Sequence, residues 1–223
     1  MANEEFKEKE DEIENIEIDE EEEKNKKKTE DLLLSREKYL KFGIHIGTSI
    51  KTKDMKRFIY KIMTNGLAVM NLKMIDTRIR IVSKFLASKK DILVVSRKIK
   101  KPVETFANAI GANAIIGRFM PGSLTNPNSK NFIEPEVILI TDTYLDKQAI
   151  KEGVKMRIPI VALCNTFNST SFVDVILPCN NKGRKSVALI FYLLTREILK
   201  ERGEIKSDEE FKLKIEDFIE EKK

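Results

Sequence analysis

The fold is decided by residues 136–164, EVILITDTYLDKQAIKEGVKMRIPIVALC. The stretch begins and ends with the apolar runs VILI and IPIVALC, which are typical of strands buried on both faces of a sheet. Between them, Ile150 and Val154 are spaced as the inward face of a helix over residues 146–156. A strand, a helix and a second strand in succession predict a β-α-β unit, and therefore an α/β protein with a parallel sheet.

The same alternation continues on both sides of this unit. Residues 114–116 predict another buried strand, and Asn65-Gly66 between two apolar runs predicts a β-hairpin. Residues 186–195 are apolar nearly all round, so more than one neighbour must cover the helix that contains them. The other predicted strands are residues 91–96 and 173–178, and the predicted helices are residues 36–41, 101–110 and 183–202, with one more from residue 74.

Charge divides the 223-residue chain unevenly. Residues 1–30 contain 14 acidic residues and 6 lysines with no apolar period, which predicts a disordered acidic tail. Residues 31–203 form the predicted α/β domain and contain 30 Lys and Arg against 14 Asp and Glu, a net charge of +16. A domain this basic usually has a polyanionic partner, because self-repulsion otherwise costs stability.

The last segment, residues 204–223, is predicted to be an amphipathic C-terminal helix. Its apolar stripe consists of Phe211, Ile215, Phe218 and Ile219. A helix of this length is marginal in water unless the stripe is covered. Docking on the domain and docking on another protein both fit the sequence.

Several classes of protein are disfavoured by what the sequence lacks. No window holds the roughly 20 apolar residues that a membrane span requires. The acidic start fits neither a secretory signal nor a transit peptide, so we expect a cytoplasmic protein. Cys164 and Cys179 lack metal-ligand spacing, and one histidine cannot complete a four-ligand zinc site with them. We predict that both thiols are reduced residues in or near the core.

A small nucleotide-binding α/β enzyme is the alternative interpretation of this pattern. Asp142 and Asn165 follow predicted strands and could hold a ribose or a metal, although polar residues there more often serve turns and helix caps. Phosphate-binding P-loops, dinucleotide-binding glycine motifs and nucleophile elbows are all missing. We therefore predict no catalytic residue, no cofactor and no metal site.

Basic residues recur instead at several separate loops and helix starts. Such a spread is poor for one small substrate but suits a nucleic-acid backbone that crosses a wide surface. Phe and Tyr fall mostly on predicted core faces, so we expect backbone contacts to folded RNA rather than base stacking. The basic groups are Lys51, Lys53, Lys56, Arg57, Arg97, Lys98, Lys100, Lys101, Arg118, Lys182, Arg184 and Lys185.

The chain resembles the family of the universal second protein of the small ribosomal subunit, in its archaeal and eukaryotic form. The resemblance covers about residues 32–202. It is carried by KFGIHIGTS, RFIYKIMTNGLAVMNL, GRFMPGSLTNP, PEVILITDT and residues 158–199. It implies a three-layer α/β/α sandwich around a five-stranded parallel sheet with an added hairpin, a Rossmann- or flavodoxin-like arrangement. The helical coiled coil of bacterial members is absent here.

The resemblance further implies a non-catalytic role as a structural constituent of the small ribosomal subunit. The expected partners are ribosomal RNA near the junction of head and body, and neighbouring ribosomal proteins. No membrane and no second copy of the chain is expected to take part. His45 and Asn126, which lie in the matching stretches, join the basic residues as expected RNA contacts.

The loop of residues 117–128, GRFMPGSLTNPN, is the most specific of the matching stretches. Pro121 and Gly122 suit the second and third positions of a type II turn. Arg118 is then expected to position an RNA phosphate. The side chains of Ser123 and Asn126 either face RNA or hold the backbone of the loop.

Overall fold

A computed structural model of the protein describes residues 32–206 and 210–219. The predicted disordered tail, residues 1–30, lies outside the described residues. The chain divides into two compact units, Met1–Lys38 and Tyr39–Lys223, and residues 32–38 of the first are described. The limits 31–203 for the α/β domain stay a prediction.

The elements alternate as the apolar runs predict. The helices are α1 (Arg36–Phe42), α2 (Leu72–Ala87), α3 (Lys101–Ile110), α4 (Lys147–Lys155) and α5 (Arg184–Glu201). The strands are β1 (Ile59–Ile62), β2 (Ala68–Met70), β3 (Ile92–Ser96), β4 (Asn113–Ile116), β5 (Val137–Ile140), β6 (Ile160–Cys164) and β7 (Val175–Pro178). Two short 3₁₀ helices span Asp54–Phe58 and Ile215–Phe218.

Strands β3 to β7 form a five-stranded parallel sheet in the order β4-β3-β5-β6-β7. Strands β1 and β2 form the predicted antiparallel hairpin, whose turn contains Gly66 in the left-handed region at φ 79°. The order of the parallel strands reverses between β3 and β5, because β4 lies on one side of β3 and every later strand lies on the other. The architecture is the expected α/β/α sandwich with an added hairpin.

The two faces of the sheet are covered by different elements. On one face, Leu93, Ile138 and Ile160 are register neighbours and pack with Ile150 of α4 and Phe58 of the first 3₁₀ helix. Successive side chains of a strand alternate between faces, so Ile92, Val94 and Leu139 point to the other. There α2, α3 and α5 pack together. The expectation that α5 needs cover on more than one side is confirmed, since its residues 186–191 are all buried.

Two sequence expectations about burial are wrong. Strand β4 was expected to be buried, yet Asn113 and Ala114 are exposed, because β4 pairs only with β3 and forms an edge of the sheet. Val154 was expected to point inward from α4, but its side chain is 40% exposed. The inward positions of α4 are instead Ala149, Ile150, Glu152 and Gly153.

The C-terminal segment differs from the predicted amphipathic helix. Of its described part, residues 211–214 have no regular structure and Ile215–Phe218 make a single 3₁₀ turn. Phe218 is fully buried, and the rings of Phe211 and Phe218 lie 5.2 and 6.1 Å from that of Tyr192 in α5. The segment therefore docks on its own chain. An isolated short helix is marginal, so these tertiary contacts decide the backbone conformation.

Two further observations complete the fold. Cys164 and Cys179 are free and buried, as expected of reduced core thiols, and burial raises the pKa of the Cys164 thiol to about 12. In the part of the chain that the structure describes, none of the helices combines the length and the apolar character needed to cross a bilayer.

Candidate nucleic-acid interface

Several of the predicted RNA-contacting residues lie in loops or at helix starts that meet at the carboxyl end of the parallel sheet. The carboxyl ends of parallel strands share an edge, and this edge carries Lys98, Lys100 and Lys101 after β3, Arg118 after β4, and residues 182–185 after β7. From β4 to β7 there are four strand spacings of about 4.8 Å, so these loops span roughly 19 Å. That width suits an extended polyanion better than one small ligand.

The segment between α1 and β1 is fastened to the same edge by hydrogen bonds. The backbone N–H of Thr52 donates to the carbonyl of Thr166 at 2.9 Å, and its hydroxyl donates to the carbonyl of Asn168 at 3.1 Å. The hydroxyl of Thr170 donates to the carboxylate of Asp54 at 2.8 Å. Gly47 lies too close to Thr166 for a larger residue, since an added Cβ would be 2.6 Å from its methyl carbon. These contacts bring Lys51 and its basic neighbours beside the loop that follows β6.

We call residues 51–57, 97–101, 118 and 182–185 the basic loops. Two of their cations lie over aromatic rings. The guanidinium of Arg57 is 4.8 Å from the centroid of Phe58, and the ammonium of Lys182 is 4.1 Å from that of Phe167. Most of the cationic side chains are exposed, namely Lys53, Lys56, Arg57, Arg97, Lys98, Lys100, Arg118, Lys182, Arg184 and Lys185, whereas Lys51 and Lys101 are half-buried.

The start of α5 has the properties of an anion site. The first N–H groups of a helix have no partner within the helix, and they carry partial positive charge. The first turn of α5 contains no acidic residue, and Arg184 and Lys185 lie in it. Just before it, the Oδ1 of Asn180 accepts hydrogen bonds from the N–H groups of Lys182 and Gly183. A phosphate at this helix start meets cations and N–H donors together.

His45 contributes differently from the cations. Its side chain is half-buried, and its Nδ1 has no hydrogen-bond partner within the described residues. Burial lowers the pKa of the imidazole below its ordinary value of 6.5. The ring is therefore neutral at neutral pH and can offer a hydrogen bond but no charge.

The loop of residues 117–128 is built mainly by its own hydrogen bonds. The N–H of Ser123 donates to the carbonyl of Met120 at 3.2 Å across Pro121 and Gly122, and Gly122 has φ 90°, as a type II turn requires. The hydroxyl of Ser123 also donates to the carbonyl of Met120, at 2.7 Å. The Oδ1 of Asn126 accepts from the N–H of Asn128 at 3.1 Å. Ser123 and Asn126 therefore hold the loop, while Arg118 stays exposed.

Glu152 is a residue of this site that sequence reasoning missed. Its buried carboxylate in α4 accepts hydrogen bonds from the N–H groups of Gly122 and Leu124, at 2.9 and 3.2 Å, and from the amide of Gln148 at 2.8 Å. The signal in the sequence was weak. Glu152 follows the inward position Ile150 by two residues, a spacing that does not by itself place it on the buried face of a helix.

The middle of the edge is occupied by a network of amides and hydroxyls. Asn168 donates to the carboxylate of Asp142 at 2.8 Å, and its own Oδ1 accepts from the N–H of Asn165 and from the amide of Asn181. Asp142 also accepts from the N–H of Tyr144 at 2.9 Å. Asp142 and Asn165 are the residues that could have held a ribose or a metal. Their polar groups instead form hydrogen bonds that join the loops at the ends of the strands. Within the described ranges, no group of three or more His, Cys, Asp and Glu is placed to hold a metal ion.

Tyr144 is a second residue that sequence reasoning missed. We expected Phe and Tyr to lie mostly on core faces, but the side chain of Tyr144 is 76% exposed. It lies in the loop after β5, the central strand of the sheet, and so between the basic loops at the two ends of the edge. An exposed ring in this position offers a stacking surface for an unpaired base.

A cavity of about 180 Å³ opens between the loops that follow β3, β4 and β5. Its lining includes Arg97, Arg118, Asp146 and Gln148. Asp146 is buried, and burial, with the nearby charge of Asp142, raises the pKa of its carboxyl to about 7. Sequence reasoning counted Arg97 among the basic groups but could not place it in the same cavity as Arg118.

The chain is similar to known proteins over most of its length. It matches the family described as Ribosomal protein S2 over residues 39–134 and 128–201. It is 49% identical over 193 residues to the small ribosomal subunit protein uS2 of Thermoplasma acidophilum, which covers 85% of this chain and 97% of that protein. The protein of the same name from Methanococcus maripaludis is 46% identical over 195 residues, covering 86% of this chain and 87% of the relative.

The uS2 protein of Picrophilus torridus gives a similar result, with 48% identity over 193 residues that cover 85% of this chain and 96% of the relative. Relatives from several archaea thus match nearly their whole length with close to half of the residues identical. The sequence resemblance, the five-stranded parallel sheet and the family match agree with one another. The chain therefore belongs to the ribosomal protein S2 family.

Proposed function

We propose that the protein is a structural constituent of the small ribosomal subunit whose basic loops bind the phosphate backbone of ribosomal RNA. The names of its relatives support the first part, since each is called a small ribosomal subunit protein. One observation supports the second. Basic residues that are far apart in the sequence lie exposed along one sheet edge and the segment fastened to it, over roughly 19 Å.

The chemistry of this surface is electrostatic and positional. Each cation that meets a phosphate releases counterions from the RNA, which favours binding and makes it sensitive to salt. Contacts of this kind fix orientation without reading sequence. The loop after β4 and the first turn of α5 hold the backbones of Arg118 and Arg184 at the carboxyl end of the sheet, so the surface recognises the shape of a folded RNA. Binding of this kind stabilises the assembled subunit and involves no chemical reaction.

The finer features of this function are part of the same proposal. The RNA site lies near the junction of head and body, neighbouring ribosomal proteins are the protein partners, and the chain acts there as a single copy. A ribosomal role fits the cytoplasmic location expected from the sequence. At the centre of the edge, the ring of Tyr144 stacks on an unpaired base, a feature that its exposure supports.

Sucrose-gradient fractionation of a cell lysate tests the proposal. We expect the protein to co-migrate with the small subunit and to remain there at moderate salt. A protein found mainly in the ribosome-free fractions contradicts the proposal. A rise in the melting temperature of that free protein with a mononucleotide would then favour the enzyme alternative, which has no support in the family match.

A further inference from the structure

The 180 Å³ cavity lies at the one place in this sheet where the strand order reverses. In open parallel sheets, ligands bind beyond the carboxyl ends of the strands at this switch point, because the loops on its two sides diverge. Here β4 and β5 lie on opposite sides of β3. The cavity is lined by Arg97 of the loop after β3, by Arg118 of the loop after β4, and by Leu145 and Asp146 of the loop after β5.

The walls of this switch-point cavity combine two cations with apolar surface. Arg97 and Arg118 are exposed, and neither guanidinium forms an ion pair with an acidic side chain in residues 32–206 and 210–219. Phe119, which is buried, and Leu145 supply apolar lining beside them. Charge-assisted hydrogen bonds are stronger beside apolar walls than in open solvent. The cavity is therefore suited to an anion.

The acidic side chain in the cavity offsets these charges less than an exposed carboxylate would. The carboxyl of Asp146 is buried, and the hydroxyl of Thr141 lies within hydrogen-bond distance both of this carboxyl, at 3.4 Å, and of the hydroxyl oxygen of Ser96, at 3.0 Å. Burial, and then the charge of Asp142, raise the pKa of Asp146 to about 7. The carboxyl therefore keeps its proton to a higher pH than an exposed carboxyl does, and a protonated carboxyl can donate a hydrogen bond to an anion.

We propose that the switch-point cavity binds a single phosphoryl group held between Arg97 and Arg118. The oxygens of a phosphoryl group accept charge-assisted hydrogen bonds from guanidinium groups, so two arginines on different loops can bind one such group together. The inference rests on the proposed function for one source of that group, a phosphodiester of ribosomal RNA. The other source is a free phosphate monoester.

Titration of the full-length protein with inorganic phosphate, followed by ¹H–¹⁵N NMR at constant ionic strength, tests the inference. We expect saturable shifts of the backbone amides of residues 97–99, 118–122 and 145–148. Arg97→Ala and Arg118→Ala should each raise the Kd about tenfold, since each removes charge-assisted hydrogen bonds. Lys84→Ala, an exposed cation of α2, is the matched control and should leave the Kd unchanged. Asp146→Asn should bind phosphate at least as tightly as the native chain at pH 8.

Two competitors distinguish the sources of the phosphoryl group. Adenosine monophosphate offers a monoester, and an RNA hairpin with hydroxyl groups at both ends offers only phosphodiesters. Displacement of inorganic phosphate by the hairpin assigns the site to the RNA backbone, and displacement by the monoester alone assigns it to a free ligand. Shifts that do not saturate, or that are the same in both arginine variants as in the native chain, overturn the inference.

The proposed function is tested separately, by whether the protein co-migrates with the small subunit in a sucrose gradient. If the native protein co-migrates with the small subunit but binds no phosphate, the cavity inference is wrong and the ribosomal role stands. If the native protein fails to co-migrate, the ribosomal role is wrong whether or not the cavity binds phosphate.

Discussion

The carboxylate of Glu152 accepts a hydrogen bond at 2.9 Å from the backbone N–H of Gly122, a residue 30 positions earlier in the chain. Glu152 lies in α4, which follows β5, whereas Gly122 lies in the loop that follows β4. The loop that carries Arg118 is therefore fixed to a helix rather than free in solvent. A side chain on a fixed backbone loses less conformational freedom when it binds a phosphate than one on a mobile loop does.

Replacing Glu152 by Gln should lower the free energy of unfolding by about 1 to 3 kcal/mol, because one of its two oxygens becomes an N–H₂ group facing a donor. Urea denaturation of the isolated protein measures the change. Lys151→Gln, at an exposed position of the same helix, is the control and should leave stability within about 0.5 kcal/mol of the native value. Equal stability of the two variants would show that the Gly122 and Leu124 bonds contribute little.

Asp146 should make stability depend on pH. Its pKa is about 7 in the folded protein against an ordinary value of 3.8, so between these values the folded state binds one more proton than the unfolded state. The contribution of Asp146 to the free energy of unfolding is therefore greatest at acid pH and falls as the pH rises toward 7. Relative to Asp146→Asn, the native chain should lose about 1.4 kcal/mol per pH unit between pH 5 and 6. Denaturation curves for both proteins at several pH values check this, and parallel curves contradict it.

Replacing both Arg184 and Lys185 by Ala should weaken the association with ribosomal RNA and reduce its dependence on salt. For each phosphate that these side chains neutralise in the native complex, the slope of log K against log salt should fall by up to about 0.9, taking the value for B-DNA as a guide. Filter binding or fluorescence anisotropy at several salt concentrations measures the slope. Lys84→Ala with Lys155→Ala, a double variant away from the basic loops, matches the change in net charge. A slope equal to that of this control would show that the start of α5 does not contact RNA phosphates.

Tyr144→Ala should weaken RNA binding by about 1 to 3 kcal/mol if the exposed ring stacks on a base. Tyr144→Phe keeps the ring and should bind as the native chain does. The salt slope should be the same in all three proteins, because stacking does not involve a phosphate. Native affinity in the alanine variant would show that the ring does not contact RNA.

Phe218→Ala should destabilise the isolated protein by about 3 kcal/mol, because it removes a fully buried ring packed near Tyr192. Thermal or urea unfolding measures the loss. Lys212→Ala, in the same segment but at an exposed position, should have little effect. If the isolated protein is unaffected by Phe218→Ala while incorporation into the subunit falls, the segment docks on a partner and not on its own chain.

The individual elements were predictable because each has a local cause. The spacing of Ile75, Ile79, Val82 and Leu86 predicts a helix, and all four are fully buried in α2. Asn65-Gly66 predicts the hairpin turn, and Gly66 adopts the positive φ that such a turn needs. The two wrong expectations about burial share a different cause. Whether Ala114 or Val154 is covered depends on which elements lie beside it, and no local pattern contains that information.

The sequence indicated which residues to consider for the candidate site, but not how they are arranged. The charge of residues 31–203 and the positions of the basic groups indicated a polyanionic partner, and the matching stretches indicated the family. Sequence reasoning did not find the contacts of Glu152, the exposure of Tyr144 or the cavity that Arg97 and Arg118 both line. Each of these depends on contacts between loops far apart in the chain.

By itself, the sequence determined the periodicities of the helices and strands, the excess of positive charge and the absence of the familiar catalytic motifs. These properties depend on neighbours within a few residues, for which the chain geometry is nearly fixed. The tertiary structure alone decided that β4 is the outermost strand of the sheet. It also decided that the C-terminal segment forms a 3₁₀ turn and that the basic loops lie together at the carboxyl end of the sheet. Parallel strands bring distant loops to one edge, and the free energy of those contacts depends on the whole packed sheet rather than on any local stretch.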